Sequence, residues 1–292
     1  MQNNNSENSN NNSIVDRCRE CARYLRKAKD GNANIDELAE MIWHRQNIEK
    51  KFEIPYLEMF ITTKCNLNCE GCSNLIPDCK DQEHIEKQVI FDAIDNLLKK
   101  LDRLYRLKLH GGEVLLHPQL AEIIDFVGRK RKIISLRLTT NGTIIPSEEV
   151  LAVIKKRNLV IQISGYKIPN SKTQQLIELL DAKGVRYTMP YDEAWRDMGG
   201  FDRRDNCRRL DCTIGRCNSM LDGKIFICSR AAMMDKLGIV KSESLSVSGE
   251  VDFRQRLVNL LNTKDYKSCW HCDGNTKHAK PLPIAKQMES KE

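Results

Sequence analysis

The sequence predicts an α/β fold, a parallel sheet with covering helices, followed by a cysteine-rich C-terminal part of different character. Three observations predict it. Five short apolar, β-branched runs recur along the middle of the chain, stretches of helical periodicity separate them, and beyond about residue 200 this alternation stops where cysteines crowd together.

The strands are read at "LEMFITT" (57–63), "LYRLKLH" (104–110), "IISLRL" (133–138), "LVIQIS" (159–164) and "VRYTM" (185–189). Between them, "IEKQVIFDAIDNLLKKLD", "QLAEIIDFVGRKR", "SEEVLAVIKKR" and "SKTQQLIELLDAKG" carry apolar residues at helical spacing. Ser147 and Ser171 suit N-caps, and Gly184 after Lys183 is a helix stop. This regular alternation requires crossover connections and therefore parallel strands. An open sheet and a curled, partly closed barrel both satisfy the pattern. In either, ligands gather at the carboxyl ends of the strands, on the loops leading into the helices.

Composition bounds the function. The net charge of +7 is the difference between 47 basic and 40 acidic side chains, interspersed along the chain, and it points only weakly to an anionic ligand. The basic runs "GRKRKII" and "KKRNL" fit solvated helix ends better than a nucleic-acid surface. No run of 18 apolar residues exists, so no membrane partner is expected and the chain is assigned to the cytoplasm. Residues 1–13, "MQNNNSENSNNNS", bury too little apolar surface to order and are expected to be disordered. Residues 14–54 read as an N-terminal helical segment, residues 55–200 as the α/β part and residues 201–292 as the cysteine-rich part.

Twelve cysteines in such a chain read as metal ligands rather than disulfides. Cys65, Cys69 and Cys72 follow the first strand directly, spaced C-x3-C-x2-C, with no fourth cysteine of the same group. At the second strand end, Gly111 and Gly112 allow close backbone approach and Glu113 can accept from an ammonium group. Thr139, Thr140 and Asn141 end the third strand and Ser164 the fourth, placing hydroxyls and amides on one rim. Zinc remains an alternative for the triad, although zinc sites usually pair C-x2-C elements and seek four ligands.

Together these motifs resemble those of the radical S-adenosylmethionine (SAM) superfamily. The resemblance implies a partial (β/α)6 barrel of the TIM type and a 4Fe-4S cluster on Cys65, Cys69 and Cys72, its fourth iron left for SAM. It further implies that Gly111, Gly112 and Glu113 contact the methionine amino group, and that Thr140, Asn141 and Ser164 lie by the ribose or carboxylate. The residue before the third cysteine is commonly aromatic in the family and is Gly71 here. The adenine then needs another support, for which "TTNG" or the stretch at 189–191 is available.

The last third resembles the superfamily's auxiliary-cluster extension, the twitch or SPASM domain. Cys212 to Cys228 fits its cysteine-glycine-cysteine element, "LDGKIFIC" reads as a hairpin turning at Asp222 and Gly223, and Cys269 and Cys272 form a C-x2-C. A second 4Fe-4S cluster is expected on Cys217, Cys228, Cys269 and Cys272, with Cys212 competing and zinc the alternative. Cys18 and Cys21 read as thiols of a helix. Cys79 is a candidate hydrogen-atom donor near the mouth, and Asp192 or Glu193 a candidate base; Tyr166, Tyr191, Trp195 and Arg230 are further pocket candidates.

The expected activity is reductive cleavage of SAM and hydrogen abstraction from a small polar substrate. Dehydrogenation or epimerisation of a carbinol carbon in a sugar, cyclitol or nucleotide conjugate is preferred, with flavodoxin or ferredoxin as reductant. Modification of a ribosomally made peptide is the alternative, and a non-catalytic iron-sulfur scaffold the third reading.

Overall fold

The computed structural model describes residues 47, 49–190, 194–207, 212, 217–249, 251–276 and 279–289. The tail at 1–13, Cys18, Cys21, Tyr191, Asp192 and Glu193 lie outside the described residues. So does nearly all of the N-terminal helical segment.

The five expected strands form. After a short β1 (Glu53–Ile54) come β2 (Leu57–Thr62), β3 (Arg103–Gly111), β4 (Ile133–Thr140), β5 (Val160–Ile163) and β6 (Tyr187–Thr188). They are joined by helices α1 (Lys87–Lys100), α2 (Leu120–Gly128), α3 (Glu148–Lys156) and α4 (Thr173–Lys183). In α1 the buried residues Ile90, Ala93, Ile94, Leu97 and Leu98 fall on one stripe, as an amphipathic helix on a sheet requires. Ser147 caps α3, accepting from the Val150 amide at 3.3 Å. The α4 cap falls one residue beyond expectation, at Lys172. There the Ser171 hydroxyl accepts from the Thr173 amide at 3.3 Å instead. Gly184 ends α4 with φ 63°, the left-handed conformation that stops a helix.

The sheet order is β10-β9-β8-β2-β3-β4-β5-β6, with β1 paired to β3. All pairs from β6 to β8 are parallel. A further parallel strand, β8 (Ser219–Leu221), joins the free edge of β2 with Glu58 opposite Ser219 and Met59 opposite Met220. The expected hairpin follows. Asp222 and Gly223 have φ of 49° and 70°, the signature of a tight two-residue turn, and β9 (Lys224–Phe226) returns antiparallel. Strand β10 (Leu245–Ser246) closes that edge, so the cysteine-rich part continues the main sheet. Helices α5 (Ser229–Lys236) and α6 (Phe253–Asn262) belong to this part. A separate two-stranded pair joins β7 (Trp195–Arg196) to β11 (Pro281–Leu282).

Both faces of the central strands are buried, but they differ in kind. Leu57, Met59, Ile61, Leu107, Leu109, Leu136, Leu138, Ile161 and Ile163 belong to the apolar core with the helices. The alternate positions carry Glu58, Arg106, Lys108, His110 and Arg137, also buried. Among the described residues no helix is long and apolar enough to cross a membrane.

Candidate active site

The carboxyl ends of β2 to β5 surround one cavity of about 750 Å³. Cys65, Cys69 and Cys72 lie on its wall with Gly111, Gly112, Asn141, Ser164 and Tyr166, so the four strand-end motifs separated in sequence are brought together.

The triad loop is held by its neighbours. The Glu113 amide donates to the Lys64 carbonyl at 2.8 Å and the Gly112 amide to the Thr62 carbonyl at 3.0 Å. Asn74 Nδ2 donates to the Gly111 carbonyl at 2.8 Å, tying the far side of the loop to the end of β3. Glycine is required here because a Cβ on Gly111 would sit 2.0 Å from the Thr62 oxygen. Asn141 Nδ2 donates to Asn66 Oδ1 at 3.0 Å, and Asn66 Nδ2 to Thr143 Oγ1 at 2.8 Å, which joins the triad loop to the end of β4.

Glu113 is fully buried, and its carboxylate accepts from the Asn141 amide at 2.7 Å and the Leu115 amide at 3.0 Å. Thr140 lies beside it and also hydrogen-bonds the carboxylate. Burial nonetheless pushes the Glu113 carboxyl up to about 7, against these donors. Burial likewise raises all three triad thiols, Cys65 to about 12.

Among the described residues no three Cys, His, Asp or Glu side chains converge as they would on a single ion. Thiolates of a cubane sit on separate irons and need no such convergence. Donors do aim at the sulfurs: Gln287 Nε2 reaches Cys69 Sγ at 3.2 Å, and backbone amides approach Cys65 and Cys72. Arg230 is a buried cation near both Cys72 and Cys272; its Nη2 donates to the Gly199 carbonyl at 2.7 Å, and its Nε has no acceptor among the described residues. A buried cation calls for an anion, and an iron-sulfur centre with thiolate ligands supplies one.

The floor of the cavity was not anticipated. Glu58, Lys108 and His110 line it, with Glu58 paired to the Lys108 ammonium. His110 Nε2 lies 3.9 Å from Glu58 and 3.3 Å from Ser219 Oγ, and Tyr56 donates to Glu58 at 2.7 Å. Burial drives His110 down to about 4, so it is neutral at pH 7. A sequence signal existed: in "LYRLKLH" charges alternate with leucines, which in a strand covered on both faces means a polar interior.

Cys212, Cys228 and Cys272 are electrostatic neighbours. Each sulfur accepts from a backbone amide: Asn275 at 3.3 Å, Ala231 at 3.4 Å and Gly274 at 3.3 Å respectively. Cys269 lies in the short helical turn Lys267–His271. Cys217 lines the main cavity, as do Ser229, next to Cys228, and Asn275, whose amide reaches Cys212. Cys79 is buried in the apolar core and is not part of the cavity wall.

This combination of a parallel α/β sheet, a three-cysteine loop after its first long strand and a glycine-glycine-glutamate turn after the next defines a class. Residues 59–183, the segment that carries these motifs, match the model described as the Radical SAM superfamily. The superfamily uses a 4Fe-4S cluster and SAM.

Curated relatives include the GTP 3',8-cyclase of Aquifex aeolicus, 30% identical over 126 residues, 41% of this chain and 38% of that protein. Another, from Methanococcus maripaludis and described as "Probable GTP 3',8-cyclase", is 34% identical over 172 residues, 58% of this chain and 55% of the relative. The chain thus spans about half the length, or less, of the curated relatives it matches. Among solved structures, BtrN in complex with AdoMet and 2-DOIA superposes over 81% of this chain and 98% of its own, with TM-score 0.52 and 15% identity. That similarity is one of fold.

Proposed function

We propose that the chain binds a 4Fe-4S cluster through Cys65, Cys69 and Cys72 and abstracts hydrogen from a small polar substrate seated over Glu58, Lys108 and His110. When bound, the cluster and SAM supply reductive cleavage to a 5'-deoxyadenosyl radical. The protein's own residues position the reactants. Gly111 and Gly112 keep the wall open to close backbone approach, Glu113 fixes the β4 end through the Asn141 amide, and Asn141 and Ser164 present polar groups to the cavity. Arg230 offsets negative charge at the triad.

The observation that carries this reading is that one cavity joins the three thiols to a buried carboxylate, ammonium and neutral imidazole. Such a floor suits a ligand rich in hydroxyls, and a hydroxyl held there can give its proton to His110 or Glu58. Dehydrogenation or epimerisation of a carbinol carbon in a sugar, cyclitol or nucleotide conjugate follows, with flavodoxin or ferredoxin as reductant. A second cluster is assigned to Cys212, Cys228, Cys269 and Cys272. Support comes from the three amide-to-sulfur contacts and from the electrostatic proximity of Cys212, Cys228 and Cys272.

The relatives named GTP 3',8-cyclase favour a second reading, a purine nucleotide as substrate, with Lys108 and Arg196 as the cavity's cations. Reduced enzyme and SAM are incubated with deuterated cyclitols, hexoses, GTP and peptides. Label in 5'-deoxyadenosine from a polyol supports the first reading, label from GTP the second. Label from peptide alone sinks both.

A further inference from the structure

The chain after β11 crosses back over the triad loop, and its contacts there are specific. Gln287 and Cys69 form an isolated antiparallel bridge. On either side, the Glu70 amide donates to the Lys286 carbonyl and the Met288 amide to the Asn68 carbonyl, both at 2.8 Å. Lys286 and Glu70 add an exposed ion pair at 2.8 Å.

The Gln287 side chain bridges the loop itself. Its Oε1 accepts from the Asn68 amide at 2.9 Å, while Nε2 donates to Cys69 Sγ at 3.2 Å and to the Ala285 carbonyl at 2.6 Å. The orientation is therefore fixed. A flipped amide would turn Nε2 toward the Asn68 N–H, and Oε1 toward both the sulfur and the Ala285 carbonyl, losing three bonds at once.

A second observation comes from Gly71. Its φ is 67°, and a Cβ there would lie 2.5 Å from Leu282 Cδ1. The backbone turns left-handed at the position before the third cysteine, which favours glycine, and the Leu282 side chain packs beside it. The loop and the C-terminal segment are thus shaped to each other.

We infer that residues 282–288 are a strap over the cluster loop, in which Gln287 is a positioning residue that donates to the Cys69 thiolate and raises the reduction potential of the triad's cluster. This rests on the reading of the triad as cluster ligands. A hydrogen bond to a ligand sulfur stabilises the more negative, reduced cluster more than the oxidised one.

Gln287 is exposed, so Gln287→Leu and Gln287→Glu leave the core intact. The full chain is reconstituted anaerobically and its reduced-cluster paramagnetic signal, the one that changes on adding SAM, is titrated against potential. Both variants shift the midpoint to more negative values. At a fixed poise the reduced-to-oxidised ratio falls roughly threefold in Gln287→Leu, and further in Gln287→Glu, where a charge replaces the donor. A strap that only holds the loop would lower iron content while leaving the midpoint of the remaining clusters at the wild-type value, and that result overturns the inference. Absence of any SAM-responsive signal in the wild-type chain overturns the cluster reading itself, before Gln287 is considered.

Discussion

Replacing Gly112 by alanine puts a methyl group where the triad loop already runs. The added Cβ falls 2.1 Å from the Lys64 carbonyl oxygen, 2.6 Å from the Lys64 carbonyl carbon and 3.0 Å from Cys65 Cβ. Carbon and oxygen rest at about 3.3 Å, so the β3 end and the start of the triad loop must part by roughly 1 Å. No rotamer change relieves this, because the nearest atoms are backbone. Parting them stretches the Glu113-to-Lys64 bond of 2.8 Å and the Gly112-to-Thr62 bond of 3.0 Å. Overpacking costs about 1–3 kcal/mol and each lost backbone bond about 1 kcal/mol, which sums to roughly 3–5 kcal/mol. For a chain of this size that is a fall in Tm of about 10 °C. Thermal unfolding and iron quantification on Gly112→Ala are compared with Gly200→Ala, where a Cβ meets nothing within 4 Å. The first variant loses stability and part of its iron, and the second stays near wild type. Wild-type Tm and iron content in Gly112→Ala would refute the described contact between the two loops.

Two further outcomes concern the cavity floor. Lys108→Met strands the Glu58 carboxylate in a buried site and is expected to cost about 3–5 kcal/mol, much of it recovered in the Glu58→Gln, Lys108→Met double variant. Denaturant titration of the single and double variants measures this, and equal losses in both would contradict the pairing. The pH dependence tests His110 against Glu113. Because the folded His110 sits at about 4, below its ordinary 6.5, its contribution is present above 6.5 and lost as pH falls toward 4, a change of about 3 kcal/mol. Glu113, raised to about 7 from 4.5, acts with the opposite sign, its contribution present below 4.5 and lost as pH rises toward 7. The wild-type chain should therefore show a nearly flat profile between about pH 5 and 6.5, and His110→Asn should gain stability on acidification across that window. Parallel profiles for the two proteins would remove His110 from the account.

Much of this protein was determined by local sequence. Strand and helix periodicity placed β2 to β6 and their helices, since each element needs only its own pattern of apolar residues. The triad, the Gly111–Glu113 turn, Asn141 and Ser164 were legible for the same reason: each sits on one loop beside one strand end, and a parallel sheet must bring those ends together. The Asp222–Gly223 hairpin was equally local. Tertiary structure alone decided the rest. The edge of the sheet that accepts β8, the passage of Gln287 to Cys69 across most of the chain, and the grouping of Cys212 with Cys228 and Cys272 depend on register and long-range packing. Residue spacing does not carry that information. The charged floor lies between the two cases. Alternation in "LYRLKLH" announced polar side chains on one face, but only the tertiary structure showed that Lys108 and His110 would be buried against Glu58, lining one cavity with the thiols.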